Sequence, residues 1–139
     1  MEQSLKTAYI FPGQGSQFVG MGKDLYENYP LAKEKYDQAN DILGFDLTKI
    51  SFDGPNEELT QTNITQPALF VHSYIMFQLY SEQKNKPDMV AGHSLGEYTA
   101  IAASGVLDFE TTLKLVKLRG ELMKNAGIKN PGTMAAIIG

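Results

Sequence analysis

The sequence contains no cysteine, so a disulfide framework, a thiolate metal site and a cysteine nucleophile are all closed to it. It also lacks any apolar run near the ~20 residues a helix needs to span a bilayer, and its first residues, Met1 to Thr7, are mostly polar. The expectation is a soluble, unsecreted, cytoplasmic protein with no membrane partner. Basic charge is not in excess: 12 Lys and Arg stand against 16 Asp and Glu, for a formal net charge of -4. Such a balance offers no general attraction for a phosphate backbone, so no nucleic-acid partner is expected. Repeats, low-complexity tracts and flexible linkers are missing too, and composition gives no reason to divide the chain. What is present is 139 residues with 42% hydrophobic content, enough for one globular unit that buries roughly two thirds of its unfolded surface.

Thr7 to Phe11 (TAYIF) is rich in strand formers and is broken at once by the glycines of PGQGSQ, so it reads as a buried strand feeding a loop. Pro30 to Leu43 has helical spacing and stops at Gly44, and Asp53 to Asn56 reads as an irregular turn. Thr65 and Gln66 precede Pro67, a favoured first-turn residue, and the segment that follows to about Glu82 is apolar on nearly every face, as in a buried helix. Asp88 to Gly92 gives a second short strand. Small residues in helical register then run to Gly105, and Asp108 is well placed to cap a helix over Phe109 to Ala126. Thr133 to Ile138 reads as a third strand. The order of elements predicts an α/β unit with short parallel strands flanked by helices.

Gly92, His93, Ser94, Leu95 and Gly96 form G-x-S-x-G between a predicted strand and a predicted helix, the context that gives this motif its meaning. A sharp turn there lifts the Ser94 hydroxyl out of the sheet, and the helix N-terminus points backbone N–H groups at developing negative charge. The amide of Leu95 is the expected first oxyanion donor. The alternative is a serine that merely caps its helix. In the loop after the first strand, a dinucleotide fingerprint starting at Gly13 would need glycine where Phe18 stands, and a phosphate loop would need Ser or Thr where Asp24 follows Gly22 and Lys23. A better use is available, because loops leaving the carboxyl ends of neighbouring parallel strands open onto one crevice. PGQGSQ and GHSLG could therefore face each other, with Gln14 as the second oxyanion contact.

On a helical wheel, Phe109 to Ala126 puts Thr112, Leu115, Val116, Leu122, Met123 and Ala126 on one side and most charges opposite. Arg119 falls near the middle of the apolar arc. A guanidinium there needs an anion, either a protein carboxylate or the carboxylate of an acidic acyl ligand held by two parallel hydrogen bonds.

Taken together, FPGQGSQ (Phe11 to Gln17), QPALF (Gln66 to Phe70), GHSLGEY (Gly92 to Tyr98), RGELM (Arg119 to Met123) and GTMAAIIG (Gly132 to Gly139) resemble the malonyl-CoA:acyl-carrier-protein transacylase family. The resemblance covers the chain and represents the first part of the family's domain. It implies an incomplete α/β-hydrolase-like core over residues 1–128 and the start of a small, truncated ferredoxin-like subdomain over 129–139. It also implies malonyl transfer from malonyl-CoA to the phosphopantetheine thiol of acyl carrier protein, in type II fatty acid biosynthesis, by way of a Ser94 ester. Matched motif by motif, Leu95 and Gln14 take the oxyanion roles, Arg119 binds the malonyl carboxylate, and Gln66, His93 and Met123 line the site. No metal and no tightly bound cofactor is implied.

The family activates its serine with a histidine from a later segment, whereas this sequence holds only His72 and His93. The resemblance thus implies little activity for these residues alone, and association, through exposed apolar surface, with the remainder of the enzyme or with another copy. A serine esterase or thioesterase, and a non-catalytic module that keeps coenzyme A or carrier-protein contacts, are the competing readings. The acyltransferase reading predicts that Ser94 and Arg119 share one pocket, separated by about the length of a three-carbon diacid.

Overall fold

Two short apolar runs far apart in sequence meet as a two-stranded parallel sheet in the computed structural model, which describes residues 5–84, 86–132, 135 and 137. Strand β1 (Ala8–Phe11) pairs with β2 (Met89–Gly92) in a register that sets Ala8 against Met89 and Phe11 against Gly92. The His93 amide extends the ladder by donating to the Phe11 carbonyl oxygen at 3.1 Å. Both strands therefore end side by side, and the loops that follow them leave the sheet together. At the other end one carboxylate ties the strands: Asp88 accepts from the Thr7 amide and from Lys6 Nζ, bonds that hold its carboxyl below the usual range.

Between the strands run α1 (Lys23–Asn28), α2 (Pro30–Leu43), α3 (Leu47–Asp53), α4 (Asn56–Leu59) and α5 (Thr62–Gln83); α6 (Gly96–Ala103) and α7 (Phe109–Lys129) follow β2. The core forms around α5, whose residues from Ile64 to Val71 are all buried. Tyr36 and Leu43 of α2, Leu47 of α3 and Leu113 and Val116 of α7 close on it, and Phe70 stacks on Phe109 at a centroid distance of 5.5 Å. Tyr9 and Phe11 of β1 meet Phe77 edge to face, which docks the sheet on α5. Among the described residues no helix is long and apolar enough to cross a membrane.

The mixed α/β class with short parallel strands and flanking helices is as expected, and several details differ. The helix around Pro67 starts at Thr62, so proline sits inside it and cannot donate to the Asn63 carbonyl. Burial of the whole run around it compensates for that missing bond. The stretch before Gly54 contains α3, whose N-cap Asp46 accepts from the Lys49 amide at 2.9 Å. Strand β1 is not buried along its length: Ile10 is 76% exposed, because α5 packs on the opposite face. The cap at Asp108 forms, with its carboxylate accepting from the Thr111 amide at 2.7 Å, and α7 runs on to Lys129. The strand expected over Thr133 to Ile138 falls largely outside the described residues; Ala135 and Ile137 are described, and neither lies in a strand.

The buried stripe of α7 is also rotated from the expected arc. Phe109, Thr112, Leu113, Val116 and Gly120 are buried, whereas Leu115 and Leu122 are exposed. A wheel weighted by side-chain hydrophobicity misses Gly120, where the helices come closest: a Cβ there would stand 2.9 Å from the Asn63 Cα. That crossing sets Arg119 at the edge of the interface, half-buried.

Candidate active site

The elbow after β2 has the backbone that a nucleophile turn requires. Ser94 has φ of 54°, the one non-glycine residue described in the left-handed region, a conformation that costs an L-residue about 1–2 kcal/mol. Its neighbours make the turn possible. A Cβ on Gly92 would stand 2.0 Å from the Gly96 carbonyl carbon, and one on Gly96 would stand 2.2 Å from the Phe11 carbonyl oxygen. Both glycines are therefore required by close approach of backbone to backbone, which seats the start of α6 directly on the strand ends.

The amides of Gly96, Glu97 and Tyr98 turn back onto the carbonyls of His93, Ser94 and Leu95. The Leu95 amide has no acceptor among the described residues, and neither has that of Gln14. The PGQGSQ loop lies against the elbow, because a Cβ on Gly13 would meet the His93 carbonyl oxygen at 2.7 Å and the Ser94 Cβ at 3.5 Å. The two loops thus face each other as expected from their strand ends. The Gln14 side chain is exposed and donates from Nε2 to Thr62 Oγ1 at 3.4 Å.

Arg119 reaches this elbow from α7. Its Nη2 donates to Ser94 Oγ at 3.2 Å and its Nη1 donates to Gln66 Oε1 at 2.6 Å. Gln66 is 1% exposed, and its Nε2 donates to Met123 Sδ at 3.2 Å, so the acceptor is held from behind. The guanidinium carbon stands 5.5 Å from the centre of the Tyr98 ring. Among the described residues no carboxylate pairs with Arg119. An ion pair within the described residues is thereby removed as the explanation of its position, and among them the charged fork is bound to neutral groups.

The shared site of Ser94 and Arg119 is present, but the expected gap between them is not. The two are in direct hydrogen-bond contact, because a long side chain settles on the nearest acceptor. His93 and Ser94 are exposed, and His93 Nδ1 lies near Gly13. His72 is far from this chemistry in its contacts: its Nδ1 lies close to Gly22, beside the Tyr36 ring, and is buried without a partner. Burial lowers its pKa.

Sequence reasoning passed over Tyr98, Thr62 and the tight contacts of Gly13 and Gly120. An isolated glycine inside a helical pattern was the available signal for Gly120, since it marks a close approach. Tyr98 carried none, because a ring under a guanidinium depends on how α6 crosses α7.

Known proteins match this arrangement over nearly all of the chain. The family model described as "Acyl transferase domain" matches residues 8–138. The malonyl CoA-acyl carrier protein transacylase of Haemophilus influenzae is 50% identical over 136 residues, covering 96% of this chain and 44% of that protein. The transacylase of the same name from Escherichia coli K12 is 47% identical over 133 residues, 95% of this chain and 43% of that one. Among solved structures, the malonyl-CoA:ACP transacylase of Synechocystis superposes with a TM-score of 0.84 at 51% identity, covering 88% of this chain and 41% of that one. A type II polyketide acyl carrier protein in complex with its malonyl-transacylase matches with a TM-score of 0.82 at 45% identity, over 88% of this chain and 40% of the other. The chain thus spans less than half the length of these relatives. The chain belongs to the acyl transferase domain family and is similar within it to the malonyl-CoA:acyl-carrier-protein transacylases.

Proposed function

We propose that this chain carries the nucleophile and the acyl-carboxylate clamp of a malonyl-CoA:acyl-carrier-protein transacylase acting in type II fatty acid biosynthesis. Ser94 Oγ attacks the thioester carbonyl of malonyl-CoA, and the tetrahedral oxyanion is held by the Leu95 amide and Gln14. One donor of this kind is worth about 3 kcal/mol of barrier. Collapse breaks the C–S bond, releases coenzyme A as its thiol and leaves malonyl on Ser94. The phosphopantetheine thiol of acyl carrier protein then attacks the ester and restores the hydroxyl, a ping-pong transfer.

The observation that carries the reading is the Arg119 guanidinium, 3.2 Å from Ser94 Oγ and paired with no protein carboxylate among the described residues. Acylation converts Oγ into an ester oxygen, a poor acceptor, which releases Nη2 to the malonyl carboxylate. Gln66 and Met123 keep the fork in place, and His93 borders the elbow. An esterase has the same elbow and no use for such a clamp.

Similarity to the family supports activation of Ser94 by a histidine outside these residues, because neither His93 nor His72 hydrogen-bonds the hydroxyl. Exposed Ile10, Met89, Leu118 and Leu122 offer apolar surface for the rest of such an enzyme to cover. Residues 1–128 then form part of the large subdomain and 129–139 begin the small one. Intact-mass measurement of the complete enzyme after malonyl-CoA treatment tests the proposal. A malonyl adduct is expected and should vanish in Ser94→Ala; an adduct that persists in that variant overturns the assignment. The 139-residue chain alone is expected to show little turnover.

A further inference from the structure

We infer that Tyr98 is a positioning residue for Arg119, and through it a determinant of the preference for acidic over neutral acyl groups. The inference rests on the malonyl reading of the site and adds to it a residue that touches neither the nucleophile nor the acyl chain in the scheme above.

Tyr98 stands in the first turn of α6, four positions after Ser94, and its ring is packed against the buried core cluster. A ring held in this way cannot follow a moving side chain; the side chain must settle on it. The guanidinium carbon lies 5.5 Å from the ring centre, within the range where the negative face of an aromatic ring attracts a cation. Arg119 is therefore located by three contacts of different kinds. Gln66 Oε1 takes Nη1, Ser94 Oγ takes one hydrogen of Nη2, and Tyr98 takes the ring-facing surface of the guanidinium.

The chemistry of the fork follows from this inventory. Arginine has five N–H donors in one plane. With Nη1 committed to the buried Gln66, the edge formed by Nε and Nη2 is the pair that can grip a carboxylate through two parallel bonds. Nη2 is also the nitrogen in contact with Ser94, so one nitrogen of this edge stands beside the nucleophile. Gln66 fixes one corner of the plane, and because the bond to Ser94 Oγ is given up as that oxygen is acylated, rotation about the Gln66 bond is left open. Tyr98 supplies the second constraint, which turns a tethered cation into an oriented one. Without it, the charge remains near the site but its edge no longer points along the line from Ser94 to the acyl carboxylate. A neutral acyl group, which makes no use of the fork, is indifferent to that loss.

The test is Ser94 acylation by malonyl-CoA and by acetyl-CoA, followed by intact mass in the full-length enzyme for the parent, Tyr98→Phe and Tyr98→Leu. Tyr98→Phe should keep the malonyl-to-acetyl rate ratio within about twofold, and Tyr98→Leu should lower it about tenfold, chiefly through the malonyl rate. Because leucine could disturb the core, a series of increasingly fluorinated phenylalanines at position 98 keeps the shape while draining the negative face of the ring. The ratio should fall stepwise along it. A parent enzyme with no preference for malonyl defeats the underlying functional reading. A selective parent whose ratio is unchanged by both Tyr98→Leu and ring fluorination, or whose two rates fall equally, overturns the role given to Tyr98.

Discussion

Arg119 Nη2 donates to Ser94 Oγ over 3.2 Å, linking α7 to the elbow that precedes α6 across 25 residues of sequence. The contact joins the Ser94 hydroxyl at the elbow to a permanent positive charge without a partner carboxylate among the described residues. Arg119→Ala in the complete enzyme is expected to slow malonyl transfer by about a hundredfold, the ~3 kcal/mol of a charge-assisted pair, and to change acetyl transfer little. Arg119→Lys should recover a minor part, since an ammonium keeps the charge but cannot present a planar fork. Parallel rate measurements on the two thioesters decide it, and equal losses would make the arginine structural.

Gly96 and Gly92 predict a different phenotype. Their missing Cβ atoms would stand 2.2 Å and 2.0 Å from backbone that belongs to β1 and to α6. Backbone cannot step aside as a flexible side chain can, so the sheet and the helix would have to separate. Gly96→Ala should lose about 3 kcal/mol of stability, read as a lower urea midpoint at an unchanged slope. A midpoint within error of the parent would mean that the elbow is not packed as described.

Much of this site was legible because it depends on local order. Strand, glycine turn and helix around Ser94 follow from residue types, and the parallel direction of the two strands fits their separation by helices, whereas the register that sets Phe11 beside Gly92 was not legible. Asp108 announces its helix in the same way. Arg119 was conspicuous as a charge among apolar neighbours, although the actual buried stripe lies to one side of it. The remainder hangs on tertiary crossings. Gly120 decides how closely α7 approaches Asn63 and therefore where Arg119 points, and hydrophobicity gives glycine no weight. Pro67 lies within α5 because burial on every side outweighs one missing bond, a balance that local preference cannot express.

Gly13 separates function from stability. Its φ is not in the left-handed region, so alanine suits the backbone, yet a Cβ would stand 2.7 Å from the His93 carbonyl oxygen. Gly13 is buried but Gln14, Gly15 and Ser16 after it are exposed, so the loop gives way by lifting, which carries Gln14 away from the elbow. Gly13→Ala should therefore slow Ser94 acylation by up to about a hundredfold, approaching the loss of one oxyanion donor, while the unfolding midpoint moves little. A variant that acylates at the parent rate would detach Gln14 from the oxyanion role.

His72 makes the pH dependence of stability testable. Its Nδ1 is buried without a partner on α5, with Gly22 and the Tyr36 hydroxyl close by; Lys23, Asp24 and Glu27 of α1 line the same depression. Burial depresses the imidazole pKa below its ordinary 6.5, and the charge of Asp24 opposes this only in part. The native state therefore binds the proton less readily than the unfolded chain does. The contribution of His72 is complete above about pH 6.5 and is lost as pH falls from there through the folded pKa; below both values no further loss comes from this group. Urea midpoints measured between about pH 5 and pH 8 should decline toward acid in the parent and decline less in His72→Gln, which keeps a polar group of similar reach but does not titrate there. Identical slopes for parent and variant would assign the acid sensitivity to the carboxylates instead.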